Sequence, residues 1–308
     1  MPIGWVIDHP AHARLLAPLM RELSKSDDVI VACDRFEVRA MLEHSDGYLP
    51  RRKTIWVPRP VGKNRYSKAF SRYRISKRAL KNMDMVISIG APIELRAAPK
   101  KSRRIYITDT EINHIAHKYA KPTDIIIPTH FDEKLSGKLL AKNAKIHRIS
   151  GLHGHVHLQP RLRPSKVSNP PKIMVRKLLG DGIHDAGELL EIPENWFDGL
   201  EIISADENQV QGNPWKLDEE ISKCDGVITQ SVTMASEAAI MGVPALLVSK
   251  AKRGFLNRLV DDGYPIFIAH ETDESILAAW LAGLHLLDEL ENIEWPNART
   301  ELIDILKH

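Results

Sequence analysis

The 308-residue chain has room for two domains of ordinary size. With 43% hydrophobic and 27% charged residues its composition is globular, which excludes intrinsic disorder and a fibrous repeat. The formal charge of +3 conceals a division, because residues 51–104 carry 17 Lys/Arg against only Asp84 and Glu94, whereas residues 181–220 carry 12 acids and a single base, Lys216; the two regions present different fields.

In chain order, residues 4–7 read as a strand and 13–24 as a helix, on the spacing of Leu15, Leu16, Leu19, Met20 and Leu23. Asp8, His9, His12 and Arg14 interrupt the apolar run that a secretory signal would need. The longest weakly polar stretch, residues 238–248, contains Gly242 and Pro244 and is too short for a membrane helix, so a cytosolic protein is expected. Cys33 and Cys224 are far apart and form no metal or redox spacing, which predicts two reduced thiols. Further strands at 29–33, 54–57, 85–89, 104–107, 124–127 and 146–149, with helical segments between most of them, predict a mostly parallel sheet. Residues 158–172 are rich in proline and base (Pro160, Arg161, Arg163, Pro164, Lys166, Pro170, Pro171) and mark a boundary between domains at 1–157 and 158–308. Beyond it, strands at 172–176, 199–204, 226–229 and 245–248 with helices at 217–223 and 234–241 form a second α/β unit. A long helix at 274–291 and, after Pro296, a last one at 298–307 complete the chain.

In open parallel sheets ligands lie outside the carboxyl ends of the strands. The most informative such place is ITQSVTMASEAAIMGVPALLV at 228–248, where a strand meets a hydroxyl-bearing turn, Gln230, Ser231 and Thr233, and a helix begins near Met234. The N–H groups and positive end of that helix suit a diphosphate. Glu237, one turn in, can accept hydrogen bonds from two sugar hydroxyls. A capped helix start with Glu237 complementing the dipole satisfies the same local chemistry.

Glu237-Ala238-Ala239 followed by Gly242-Val243-Pro244 resembles the signature of GT-B-type proteins. Asp8-His9-Pro10-Ala11-His12, with the helix ending Arg21-Glu22-Leu23, resembles an archaeal-rich branch related to UDP-N-acetylglucosamine 2-epimerases and glycosyltransferases. The resemblance implies a GT-B-like α/β fold of two Rossmann-type domains facing a central cleft, with the terminal helix packing on the N-terminal domain. It implies a nucleotide sugar in the second domain, its diphosphate at the Ser/Thr turn and its ribose on Glu237, and it sets Glu111 near the sugar. The chain departs from the pattern in three places. Gln230, Ser231 and Val232 replace turn glycines, Gly90-Ala91-Pro92 lacks the epimerase aspartate, and Arg176-Lys177-Leu178-Leu179 replaces a His-Arg-Arg-Glu run. Epimerisation needs paired acid and base groups at the sugar C2, so these losses count against it.

A glycosyltransferase needs one base and positive or dipolar groups for the departing diphosphate. His12 is the expected base, with Asp8 orienting it or lining the cleft, and Arg176 is the expected phosphate partner. A helix-start histidine and a surface arginine are the plainer alternatives. Asp109, Glu111, Asn113 and His114 form a polar group after the strand at 104–107, read as bordering the sugar or as a helix cap. On an extended segment His153, His155 and His157 would share one face, yet three ligands on one flat strand rarely converge on zinc, so structural histidines are expected and no metal. Residues 51–81 interleave bases with Trp56, Tyr66, Phe70 and Tyr73, which suits an anionic acceptor or the inner face of a membrane ahead of nucleic acid. The expected function is a nucleotide-sugar-dependent glycosyltransferase needing no cofactor. The alternatives are an epimerase or hydrolase on the same fold and a non-catalytic anion- or RNA-binding protein.

Overall fold

The computed structural model describes residues 1–111, 114–136, 143–160, 166–178, 188–205, 213–284 and 294–308. The chain divides into two compact units, one made of Met1–His157 with Pro296–His308 and the other of Leu158–Trp295.

In the first unit seven strands, β1 (Ile3–Ile7), β2 (Val29–Asp34), β3 (Lys53–Pro58), β4 (Met85–Ile89), β5 (Arg103–Ile107), β6 (Asp124–Pro128) and β7 (Lys145–Ile149), each lead into a helix. The helices are α1 (Pro10–Leu23), α2 (Phe36–Glu43), α3 (Arg65–Ala79), α4 (Pro92–Ala97), α5 (His114–Ala120), α6 (Glu133–Ser136) and α7 (His153–His157). The sheet is parallel throughout, in the order β3-β2-β1-β4-β5-β6-β7. β1, β4 and β6 are buried at every residue, as central strands covered on both faces must be, and this is why apolar residues dominate them, with Ser88 of β4 and Asp124 of β6 the polar exceptions. The buried Asp28 carboxylate fixes the start of β1, accepting the N–H of Ile3 and the indole N–H of Trp5, both at 2.8 Å. Chain direction across the sheet reverses between β1 and β4, so the crevice outside their carboxyl ends is the topological switch point.

The second unit has β8 (Lys172–Arg176), β9 (Glu201–Ser204), β10 (Gly226–Thr229), β11 (Ala245–Val248) and β12 (Ile266–Ala269), parallel in the order β12-β11-β10-β8-β9. Its helices are α8 (Leu217–Ile221), α9 (Val232–Ile240), α10 (Gly254–Asp261) and α11 (Glu274–Gly283). β12 and α10 were not anticipated from the sequence. Here the switch point lies between β8 and β10. Trp280 of α11 is buried against Gly226, where an added Cβ would lie 2.7 and 2.8 Å from two of its ring atoms.

The last helix, α12 (Ala298–Lys307), belongs to the first unit. Glu301 accepts the N–H of Ser150 at 2.6 Å, Arg299 donates to the carbonyl of Val156 at 2.6 Å, and Arg103 donates to the carbonyl of Ile305 at 2.9 Å. Among the described residues no helix is long and apolar enough to cross a membrane. Asn113, the side chain of His114, the linker residues Arg161, Arg163 and Pro164, Leu179, and the expected helix beyond residue 284 lie outside the described residues.

Candidate functional site

Polar residues gather at the switch point of each unit. In the first, Asp8 directly follows β1, and its backbone N–H donates to His12 Nδ1 at 3.2 Å. Its Oδ1 accepts from Arg72 Nη2 at 2.6 Å. Arg72 comes from the middle of α3 and is buried; its Nε donates to the fully buried Glu94 of α4, and its Nη1 lies 3.7 Å from Cys33 Sγ at the end of β2. Burial drives the Asp8 carboxyl up, but the guanidinium of Arg72 and the ring of His12 more than offset this and hold it below the ordinary value. Burial pushes the Cys33 thiol up to about 12, so it stays protonated.

His12 departs from the expected base. Its Nδ1 lone pair is taken by the Asp8 N–H, so the neutral ring carries its proton on Nε2 and presents a donor. Burial pushes its pKa down to about 4, against the pull of Asp8 and Asp109 and with the added repulsion of His153 and Arg35. Gly90, after β4, faces this ring at a φ of 60°, a left-handed conformation that accounts for glycine there.

Asp109 follows β5 by two residues. Its Oδ2 pairs with Nδ1 of His153 at 3.1 Å, and its Oδ1 accepts the Thr110 hydroxyl at 3.1 Å. With Nδ1 donating to Asp109, the neutral ring of His153 carries its lone pair on Nε2. That atom is buried and has no hydrogen-bond partner among the described residues. Glu111 sits differently from its expected place beside a sugar: it is fully buried and accepts the N–H of Asp132 at 3.2 Å, bracing the loop after β6. The three alternating histidines form one short helix, α7, and no extended face. His155 Nδ1 accepts the N–H of Leu152 at 3.0 Å, and His157 Nδ1 donates to the carbonyl of His153 at 3.0 Å. Among the described residues no three His, Cys, Asp or Glu side chains are grouped to hold a metal.

In the second unit Arg176 ends β8 in register with Thr229 of β10, and its carbonyl accepts from both the Thr229 hydroxyl and the Gln230 N–H at 3.2 Å. Arg176 is thereby set beside the start of α9. The Ser231 hydroxyl caps that helix by accepting the Met234 N–H at 3.3 Å. Thr233 is exposed, whereas Met234 and Glu237 are buried, Glu237 to 4% exposure. The Gln230 amide is spent on the scaffold: Oε1 accepts the N–H of Leu178 at 2.7 Å and Nε2 donates to the carbonyl of Leu190 at 2.6 Å.

Sequence reasoning missed Arg72, Glu94 and the role of His153. Arg72 was hidden in a run of cations; the available signal was the apolar pair Ile75 and Ala79, four apart, which packs on the core and turns the neighbouring Arg72 and Ser76 inward.

Two parallel sheets of this topology make a GT-B-like α/β protein of two Rossmann-type units. No protein-family model and no curated protein sequence matches the chain. Among solved structures, it is similar to UDP-GlcNAc 2-epimerase of Methanocaldococcus jannaschii in complex with UDP-GlcNAc and UDP, with a TM-score of 0.68 and 13% identity over 100% of this chain and 99% of that one. The enzyme of the same name from Neisseria meningitidis, bound to UDP-GlcNAc, gives 0.54 and 12% over 100% and 98%. UGT73P12 of Glycyrrhiza uralensis, complexed with glycyrrhetinic acid 3-O-monoglucuronide, gives 0.60 and 10% over 100% and 95%. At these identities the likeness is one of fold.

Proposed function

We propose that this chain is a nucleotide-sugar-dependent glycosyltransferase. The observation that carries the reading is that β8 and β10 end in register at the switch point of the second unit, which sets Arg176 beside the start of α9, where Ser231 caps the helix and Thr233 is exposed in its first turn. The solved structures of the same fold that hold UDP or UDP-GlcNAc support it. In this reading Arg176, Ser231 and Thr233 hold the diphosphate, Glu237 takes the ribose, Met234 packs beside the nucleotide, and Gln230 positions the loops. The donor is itself the activated reagent, so no resident cofactor is invoked.

The first unit acts on the acceptor. His153, oriented by Asp109, accepts the proton of the acceptor hydroxyl through Nε2. His12 donates through Nε2–H, Asp8 keeps that ring in register, and Glu111 braces the adjoining loop. An anionic acceptor suits the cations of residues 51–81.

Calorimetric titration with UDP-sugars and other nucleotide sugars tests the donor site. At least one is expected to bind, and Glu237→Gln, which keeps the shape of the buried side chain, is expected to weaken it by about tenfold or more. Failure of every nucleotide sugar to bind removes the reading. An epimerase is the second reading, favoured by the Asp109–His153 pair of the first unit and by His12 beside it. Incubation of UDP-N-acetylglucosamine in deuterium oxide separates the two, since only epimerisation exchanges the C2 proton.

A further inference from the structure

Large apolar side chains left singly on a surface are ordinary, but several gathered at one place mark an interaction site. Among the described residues the three most exposed large hydrophobic side chains are Tyr66 at 76%, Phe70 at 64% and Phe36 at 63%. All three belong to one corner of the first unit. Phe36 begins α2 just past the end of β2, and β2 and β3 end side by side at Asp34 and Pro58. The chain leaving β3 carries Val61, also exposed, whose carbonyl accepts from Lys68 of α3 at 3.3 Å.

Helix α3 contains six cations and no acid, and its buried side chains are Arg72 and Ser76. Helical spacing sets Tyr66, Phe70, Arg74 and Lys77 in a row on the opposite, outward face. The guanidinium of Arg65 lies 4.8 Å from the ring centre of Tyr66 and that of Arg74 lies 5.9 Å from the ring centre of Phe70. Asp34 at the end of β2 and Glu37 at the start of α2 are each bonded to an arginine of their own segment, Arg39 and Arg35. Among the described residues the cations Arg65, Arg74 and Lys77 beside these aromatics have no acidic partner.

We propose that this corner, formed by Phe36, Val61 and the Tyr66–Phe70–Arg74–Lys77 face of α3, docks on an anionic lipid bilayer. Phe36 and Phe70 bury their rings at the boundary of headgroups and acyl chains, Tyr66 keeps its hydroxyl among the headgroups, and Arg74 and Lys77 meet lipid phosphates. Single-stranded RNA fits less well. The exposed aliphatic Val61 beside α3 suits the acyl boundary of a bilayer and offers a base nothing to stack on. Because Arg72 leaves the other side of the same helix to hold Asp8, docking would bring the first unit's polar cluster within about one helix diameter, ~10–12 Å, of the bilayer. The docking does not depend on the donor assignment and is read by a different measurement.

The test is co-sedimentation of the full chain with vesicles of phosphatidylcholine alone and of phosphatidylcholine mixed with phosphatidylglycerol, at rising salt. Binding is expected only to the mixed vesicles and should weaken with salt. The combined Phe36→Ser, Tyr66→Ser and Phe70→Ser variant, shown folded by circular dichroism, should bind at least about tenfold more weakly. Arg74→Ala and Lys77→Ala should each cost about fivefold. The proposal is overturned if mixed vesicles do not bind, if the aromatic variant binds like the parent, or if polyuridylate binds more tightly than vesicles and loses affinity in the same aromatic variant.

Discussion

Arg72 is one cation among twelve in residues 51–81, and its position changes its meaning. Buried between Asp8 and Glu94, it compensates two carboxylates, and its removal would leave Glu94 charged or protonated in a dry interior. Arg72→Ala is therefore expected to cost about 3–5 kcal/mol in chemical denaturation, whereas Arg78→Ala, on the exposed side of α3, should stay within about 0.5 kcal/mol. His12 supplies a pH dependence whose sign follows from its lowered value. Between about pH 6.5 and 4 the unfolded chain takes up a proton that the folded chain refuses, so stability is full above this window and falls as pH drops through it. The loss from this group is at most about 3 kcal/mol. Denaturation midpoints of His12→Gln measured at both ends of the window should depend on pH less steeply than those of the parent.

At the scale of elements, Gly226 shows how a strand accepts a helix. With Trp280 ring atoms 2.7 and 2.8 Å from where a Cβ would sit and the Pro244 carbonyl 3.3 Å away, α11 rests directly on the backbone of β10. Gly226→Ala should destabilise the chain by about 1–3 kcal/mol, read as a lower denaturant midpoint at unchanged slope. Buried strands were legible in the sequence because both faces of a parallel sheet are covered, so β4, β8, β10 and β11 stand out as apolar runs between polar turns. β12, no shorter than β10 and β11, was missed; it is an edge strand whose Phe267 is exposed and whose Ile268 is half-buried. The period-two pattern of His153, His155 and His157 suited an extended segment, yet five residues are too few to separate a strand from one helical turn, and the bond to Asp109 could not be read from sequence.

For the molecule as a whole, the sequence located both switch points, because strand ends followed by polar residues are a local signal. It named Asp8 and His12 at the first and Arg176 and Ser231 at the second. Which atoms remain available there was not legible. That Gln230 and Glu111 are occupied by backbone groups, and that His12 offers a proton while His153 offers a lone pair, depends on partners 21 to 52 residues away in some cases and on ring orientation in others.

The return of α12 to the first unit makes residues 158–295 an insertion within a unit whose two pieces lie at opposite ends of the chain. During synthesis the first unit can close only after the whole inserted unit has been made, because the helix that receives Ser150, Val156 and Arg103 follows that unit in the chain. The first unit therefore gains its full support only once α12 has been made, and a nascent chain stalled before Ala298 would leave that unit without the helix that receives Ser150 and Val156.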